Sequence, residues 1–196
     1  MRCLLFHKPY GVLTQFTSSE GHRTLKDFIG VPDVYPVGRL DHDSEGLLLL
    51  TDDGSLQHRV SDPRFKHPKT YWVEVERAPG EKALSQLRGG VDIQGYRTRP
   101  AEVRLMEGEP AGLAPRIPPV RFRKTVPTAW LELTIYEGKN RQVRHMTATV
   151  GHATLRLIRV AIGPLRLGNL KPGDWRDWTV TERVQLEAEL RSGRSW

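Results

Sequence analysis

A dense cluster of charged residues stands directly before a run of four leucines at 47–50. Consecutive leucines bounded by turn residues are typical of a strand buried on both faces, and they predict a strand over 47–51. The preceding segment, GRLDHDSEG at 38–46, carries four charged side chains. Placing charges against a core strand costs free energy. Such costs are found more often at functional sites than elsewhere, so this segment is the first candidate for a functional loop.

The composition excludes several classes of protein. Hydrophobic residues make up 38% of the 196 residues and charged residues 27%, as in a globular domain. No apolar run approaches the roughly 20 residues of a membrane span, and the apolar patch at the start is too short for a secretory signal. The single cysteine, Cys3, rules out an intramolecular disulfide and favours a reducing compartment. We therefore expect a cytoplasmic protein without membrane contact. We also expect a monomer, although the sequence does not specify the oligomeric state and shows only that no coiled-coil heptads occur.

Positive charge is concentrated in two parts of the chain, and the net charge is +7. Between 137 and 159 five basic residues accompany one acid, and between 116 and 124 four basic residues have no acid among them. The first group consists of Lys139, Arg141, Arg144, Arg156 and Arg159, and the second of Arg116, Arg121, Arg123 and Lys124. Clustered basic residues favour a polyanionic partner, with phosphate groups as the ligands. A solvated basic face remains the alternative.

Periodicity predicts a mixture of helices and strands. Alternating or β-branched segments predict strands at 12–16, 70–76, 130–136 and 153–162. Helical spacing predicts helices at 24–29, 55–60, 81–87, 140–150 and 182–191. The order follows no strict βαβ rhythm, so we expect an α+β fold with a mixed, largely antiparallel sheet and flanking helices. Five prolines between 107 and 128 exclude a helix or central strand there and indicate an insertion loop.

Within the charged segment, Asp41 is the best candidate for a functional carboxylate. Gly38 and Gly46 bracket it and permit tight turns and close approach of a ligand. Asp41 follows Leu40, which we expect to point into the core, whereas Asp43 and Glu45 suit turn or capping roles. A divalent metal site or an acid/base hydrolase are alternatives for three clustered carboxylates. No second acidic cluster completes a metal site, and the histidines lack zinc-like spacing, so we expect no metal.

The segment EGKNRQVRHM at 137–146 is the second candidate functional segment. A strand leads into a glycine turn and a helix start, where Lys139 and Arg141 would meet an anion. Arg144 lies at the edge of the apolar stripe of that helix. There it is either a surface residue or a part-buried cation that requires a carboxylate partner. Tyr71, near the start of a predicted strand, is either a packing residue or a flat face on which a base stacks.

Four motifs in order carry a resemblance to a known family. GRLD at 38–41 with Ser44, Gly46 and the leucine strand, KTY at 69–71, GKNRQVR at 138–144 and LIRVAIGPL at 157–165 resemble the motifs of pseudouridine synthases of the RsuA type. The resemblance covers about 6–168. It implies the catalytic fold of that family with a central active-site cleft, isomerisation of a uridine in large-subunit (23S) ribosomal RNA, and no cofactor.

The resemblance also implies a role for each matching residue. Asp41 would be the catalytic aspartate, as nucleophile or as base, and Arg144 would pair with it. Arg39 would fill the space of the flipped-out nucleotide, Tyr71 would stack on the uracil and Leu157 would shape its pocket. The remaining residues expected to bind substrate are Lys69, Arg141 and Arg159.

The chain departs from many members of the family at its start. The motifs begin at once, so we expect 1–196 to be a single catalytic domain, undivided or with two lobes around the cleft, without a preceding S4-type RNA-binding module. His145 stands where a second arginine is common, and the loop at 107–128 matches no motif. The alternative is a non-catalytic RNA-binding protein of the ribosome, which would have no use for Asp41 among its basic residues.

Overall fold

A computed structural model describes residues 1–61, 67–120 and 126–192 of the chain. Within them the strands are β1 (Cys3–Lys8), β2 (Val12–Leu13), β3 (Arg23–Thr24), β4 (Tyr35–Pro36), β5 (Glu45–Thr51), β6 (Lys69–Glu76), β7 (Asp92–Ile93), β8 (Tyr96–Arg97), β9 (Glu102–Leu105), β10 (Thr128–Ile135), β11 (Thr154–Ile162), β12 (Leu165–Arg166) and β13 (Trp175–Asp177). The helices are α1 (Gly54–Ser61), α2 (Glu81–Gly89), α3 (Gln142–Thr149) and α4 (Val180–Ser192). The chain divides into two compact units, Met1–His67 with Arg159–Trp196, and Pro68–Ile158.

The first unit is built on an antiparallel pair of buried strands. β1 pairs with β5 along its whole length, from Cys3 opposite Thr51 to Lys8 opposite Gly46, and its other edge pairs with β13. Every residue of β1 and of β5 is buried, which is why neither strand alternates in hydrophobicity. Short strands complete the unit: β4 pairs with β5, β12 with the end of β11, and β2 runs parallel to β3.

The second unit is built on three antiparallel strands, with β10 between β6 and β9. β6 alternates between buried and half-buried positions, and Tyr71, Val73 and Val75 are the buried ones. These three side chains join an apolar cluster with residues of α2, α3, β9 and β10. The alternation predicted from the sequence therefore orients β6 as expected.

The observed elements match the longer predicted segments and differ at the short ones. The predicted helix at 24–29 is a 3₁₀ turn over Leu25–Asp27, with Asp27 accepting a hydrogen bond from the Thr24 backbone N–H. The predicted strand at 12–16 is reduced to β2, and β1 has no predicted counterpart. Asp53 caps α1, since its Oδ1 accepts from the backbone N–H groups of residues 55 and 56.

The proline-rich segment contains no helix or strand at 107–120 or 126–127, as predicted, and β10 begins at Thr128. The basic residues Arg121, Arg123 and Lys124 lie outside the described residues. Among the described helices, none has the length and apolar character that crossing a membrane requires.

Candidate active site

The loop that carries Asp41 is fixed by backbone hydrogen bonds on both sides of the carboxylate. The Ser44 N–H donates to the Asp41 carbonyl at 3.0 Å, which closes a tight turn. Thr14 Oγ1 donates to the Leu40 carbonyl at 2.6 Å and accepts from the Leu40 N–H at 3.3 Å. Leu40 is buried, as predicted, and Asp41 is half-buried. The carboxylate therefore lies on an anchored loop and keeps access to solvent.

A buried lysine that the sequence did not single out lies next to this loop. Lys8, at the end of β1, is completely buried, and its Nζ donates to the carbonyls of Pro9 at 3.0 Å and Val12 at 2.8 Å. Burial lowers the pKa of Lys8 to about 7, although the carboxylates of the loop, Glu45 first, favour its charged form. A desolvated ammonium beside the candidate carboxylate adds a positive potential to the loop.

Glu45 does not have the turn or capping role expected of it. It is the first residue of β5 and is only 2% exposed. Its carboxylate is the leading charge that favours the protonated form of Lys8. A buried carboxylate requires such a partner, because its desolvation is otherwise uncompensated. The strand pairing explains the encounter, since Lys8 lies opposite Gly46, the neighbour of Glu45.

Arg159, expected to bind substrate, is buried in the first unit. Only 4% of the residue is exposed. Its Nε donates to the Leu47 carbonyl at 2.8 Å and its Nη1 to the Arg39 carbonyl at 3.4 Å. The guanidinium thus bridges the start of β5 and the loop two residues before Asp41. In this position it holds the loop and does not face solvent as a phosphate ligand would.

Gly46 is required by the close approach of the chain at Arg159. Its φ is +105°, and a Cβ built there would lie 2.3 Å from the Arg159 carbonyl oxygen and 2.7 Å from its backbone nitrogen. Gly38, the other bracketing glycine, has a φ of +72° but open space around it. Both glycines provide unusual backbone conformations, and only Gly46 also provides room.

In the second unit, two residues assigned to the uracil pocket belong to one apolar cluster. Tyr71 is 7% exposed and Leu157 5% exposed, and both belong to the cluster built on β6 and β10. Tyr71 lies opposite Leu133 in the β6–β10 register. The packing interpretation of Tyr71 therefore has direct support, and a stacking role would use a ring that is already held in place.

The segment that leads into α3 is organised by a buried carboxylate, Glu137, which the sequence analysis left without a role. Glu137 is 7% exposed and accepts hydrogen bonds from the Tyr96 hydroxyl, the Arg99 N–H and the Gln142 side-chain amide. Gln142 in turn accepts from the Lys139 N–H at 3.0 Å through its Oε1. These bonds fix the turn between β10 and the helix.

The basic residues of this segment have different surroundings. Arg141 precedes α3 with a left-handed φ of +50° and is half-buried, as is Arg144 in the first turn. Lys139 lies with its Nζ 4.8 Å from the centre of the Tyr96 ring. Lys69 is half-buried at the start of β6. The ring contact and the buried carboxylate together orient the basic turn that precedes α3.

The described residues of the two basic clusters differ in exposure. Arg156 is 5% exposed and its Nη2 donates to the Ala114 carbonyl at 2.9 Å. Arg116 is half-buried, and its guanidinium donates to the carbonyls of Pro118 and Pro119. Through its hydrogen bond to Ala114, Arg156 stabilises the proline-rich segment. Arg156 and Arg159 are buried, so neither belongs to a solvated basic face, which was the alternative to phosphate binding.

Comparison with known proteins supplies the family. The model of the RNA pseudouridylate synthase family matches residues 2–149. The chain belongs to the RNA pseudouridylate synthase family. It is 62% identical over 171 residues to ribosomal large subunit pseudouridine synthase E of Xanthomonas axonopodis pv. citri, covering 86% of this chain and 90% of that protein. It is 51% identical over 176 residues to the protein of the same name from Vibrio parahaemolyticus, covering 90% and 73%.

A solved structure of a pseudouridylate synthase has the same fold, with a TM-score of 0.78 at 28% identity, and the match covers 94% of this chain and 73% of that one. Family membership confirms the resemblance, the α+β fold class and the enzyme class, an isomerase acting on uridine in RNA. Among the described residues, no group of three or more side chains has the composition and geometry of a metal site. The roles of individual residues remain predictions from the motifs.

Proposed function

We propose that this pseudouridine synthase converts one specific uridine of large-subunit (23S) ribosomal RNA to pseudouridine. The observation that carries the proposal is the 62% identity to a protein named for the ribosomal large subunit, a match that covers 90% of that protein and 86% of this chain. The net charge of +7 supports a polyanionic substrate. We expect the enzyme to act in the cytoplasm as a monomer, with 1–196 as a single catalytic domain.

In the proposed reaction Asp41 acts on a uridine that has been flipped out of the folded RNA. The bond between N1 of the uracil and C1′ of the ribose breaks, the uracil rotates, and C5 forms the new bond to C1′. C5 then loses its proton and N1 gains one, so the atoms balance within one nucleotide. Asp41 serves as nucleophile at C1′ or as base, and the anchored, half-buried loop supports either role. No external electron or group donor is required, and we propose no cofactor.

The family motifs assign the residues around the uridine. We propose that Arg144 pairs with Asp41, and that Arg39, which is exposed, occupies the space the nucleotide leaves. Tyr71 would stack on the uracil and Leu157 would border its pocket, which their shared apolar cluster supports. Stacking on a ring held by packing costs little additional side-chain entropy.

The remaining basic residues divide into two groups. Lys69 and Arg141 are half-buried, and we propose that they contact phosphates of the RNA. For Arg159 we replace phosphate binding by a positioning role, because its guanidinium is buried against the carbonyls of Arg39 and Leu47. It would act through the backbone of the Asp41 loop and would not touch the substrate.

The test is to map pseudouridines in ribosomal RNA from cells that lack the gene. We expect one site in the large-subunit RNA to remain uridine, and to be restored by the wild-type gene but not by one encoding Asp41→Asn. Restoration by the Asp41→Asn gene would favour the alternative, a non-catalytic ribosomal RNA-binding protein. An unchanged map in the deleted cells would contradict the proposed substrate.

A further inference from the structure

Three ring side chains from separate segments of the first unit lie together at its surface. The imidazole rings of His22 and His42 meet edge to face, with their centres 5.1 Å apart and an interplanar angle of 86°. The Tyr10 ring lies 6.4 Å from that of His42 at 48°. His22 is exposed, and Tyr10 and His42 are half-buried. We refer to Tyr10, His22 and His42 as the ring cluster.

The backbone fixes the ring cluster beside the candidate catalytic residue. His42 directly follows Asp41, and its carbonyl accepts a hydrogen bond from the Gly11 N–H at 2.9 Å. The parallel pairing of β2 with β3, with Val12 opposite Arg23, brings the residue before β3, His22, to the segment that follows Tyr10. Three chain segments therefore meet at His42, the residue that directly follows Asp41.

Two structural explanations account poorly for the ring cluster. A core role does not fit, because His22 is exposed and none of the three rings belongs to the buried hydrophobic residues. A metal site is not favoured either, since the described part of the chain contains no group of three ligating side chains. What remains is a partly open surface of flat rings beside the site of chemistry.

Base flipping creates the ligand that such a surface fits. Extracting a uridine from RNA breaks its stacking on both neighbours, and Arg39 as proposed fills only the vacated position, so a flanking base can become unpaired. Proteins that recognise unpaired RNA stack such bases on tyrosine and histidine rings, and this contact tolerates any base because each has a π-face. We propose that the ring cluster is a stacking surface for an unpaired base next to the target uridine. The inference rests on the proposed function of the site at Asp41.

The proposal makes a specific kinetic statement. A stack on a flanking base holds the RNA both before and during the reaction, so its loss weakens binding and leaves the chemical step nearly unchanged. Alanine at His42 should therefore raise KM by at least about fivefold, from the usual strength of a base stack, while kcat stays within about twofold. Phenylalanine at the same position retains a ring and should retain most of the affinity.

The experiment measures tritium release from ribosomal RNA labelled at C5 of uridine and isolated from cells lacking the gene, as RNA and as large-subunit particles. The variants are His42→Ala, His42→Phe, His22→Ala and the double alanine variant. Tyr35→Ala is the matched control, because Tyr35 is an aromatic residue of the same unit that is 57% exposed and lies outside the ring cluster. Thermal unfolding verifies that each variant is folded. Because His22 is exposed, His22→Ala is the substitution expected to disturb folding least.

Four results decide between the possibilities. A raised KM in the alanine variants, with normal values for His42→Phe and Tyr35→Ala, supports the stacking surface. If the wild type releases label and the alanine variants share its KM, the inference fails and the proposed function stands. A lower kcat at unchanged KM would also overturn the inference, since the rings would then act on the loop. If the wild-type enzyme releases no label from either substrate, the proposed function itself fails.

Discussion

Replacing Gly46 by alanine tests the packing that holds the loop carrying Asp41. The added Cβ would lie 2.3 Å from the Arg159 carbonyl oxygen, a distance that real Cβ contacts do not reach, so β5 or the chain at Arg159 must move. The positive φ of +105° costs an L-residue about 1–2 kcal/mol. Displacing packed backbone adds about 1–3 kcal/mol. We expect the free energy of unfolding to fall by about 2–5 kcal/mol in total, which corresponds to a Tm lower by on the order of 10 °C for a chain of this size.

The matched control is Gly38→Ala. Gly38 has a similar requirement for positive φ, at +72°, but no atom lies within 4 Å of its built Cβ. It should lose only the conformational part, about 1–2 kcal/mol. Urea denaturation and calorimetry of both variants measure the difference. In addition, Gly46→Ala should lose activity at temperatures where it is still folded, because Arg159 carries the displacement to the carbonyl of Arg39. Equal stability of the two variants would refute the close approach at Arg159.

Two further predictions concern the buried cations. The pKa of Lys8 is about 7 in the folded protein and its ordinary value is 10.5, so between these pH values the unfolded chain binds more protons than the folded one. The contribution of Lys8 to the free energy of unfolding should therefore be lowest below pH 7 and rise by up to about 1.4 kcal/mol per pH unit toward 10.5. Urea denaturation of the wild type and of Lys8→Met across this pH range measures the contribution. A difference in unfolding free energy that does not change with pH would contradict the prediction. For Arg159→Gln, which removes the charge, we expect a lower kcat with an unchanged salt dependence of RNA binding. If the slope of log K for RNA binding against log salt concentration fell by about 0.7–0.9, Arg159 would be a phosphate ligand.

The long strands and the position of the loop that carries Asp41 follow from local sequence pattern. The four leucines locate β5, and alternation locates β6 and β10, because each pattern reflects how many faces of the strand are buried. β1 has no such signal. Its residues are buried on both faces, and its histidine and lysine interrupt the apolar run. Two-residue strands such as β2 and β3 depend on pairing partners and leave no periodicity to detect.

The charged residues show where sequence reasoning ends. Asp41 and its loop were recognisable from their glycines and charge, whereas the burial of Lys8, Glu45 and Arg159 was not. Their burial arises from the register of strands distant in sequence, such as Lys8 opposite Gly46, and from an approach of residue 159 to β5. A cluster of arginines in a sequence indicates positive charge, and only the fold distinguishes a guanidinium that faces solvent from one that supports a loop.

The most direct test of the account is tritium release by Asp41→Asn, with Asp43→Asn as the matched control. Both changes remove one carboxylate from the same half-buried turn and keep its size and hydrogen-bonding capacity. Formation of pseudouridine must release the hydrogen on C5, so label at that position reports turnover. We predict that wild type and Asp43→Asn release label without added cofactor and in the presence of a chelator, while Asp41→Asn folds, binds RNA and releases none. Full release by Asp41→Asn would contradict the assignment of Asp41 as the catalytic residue.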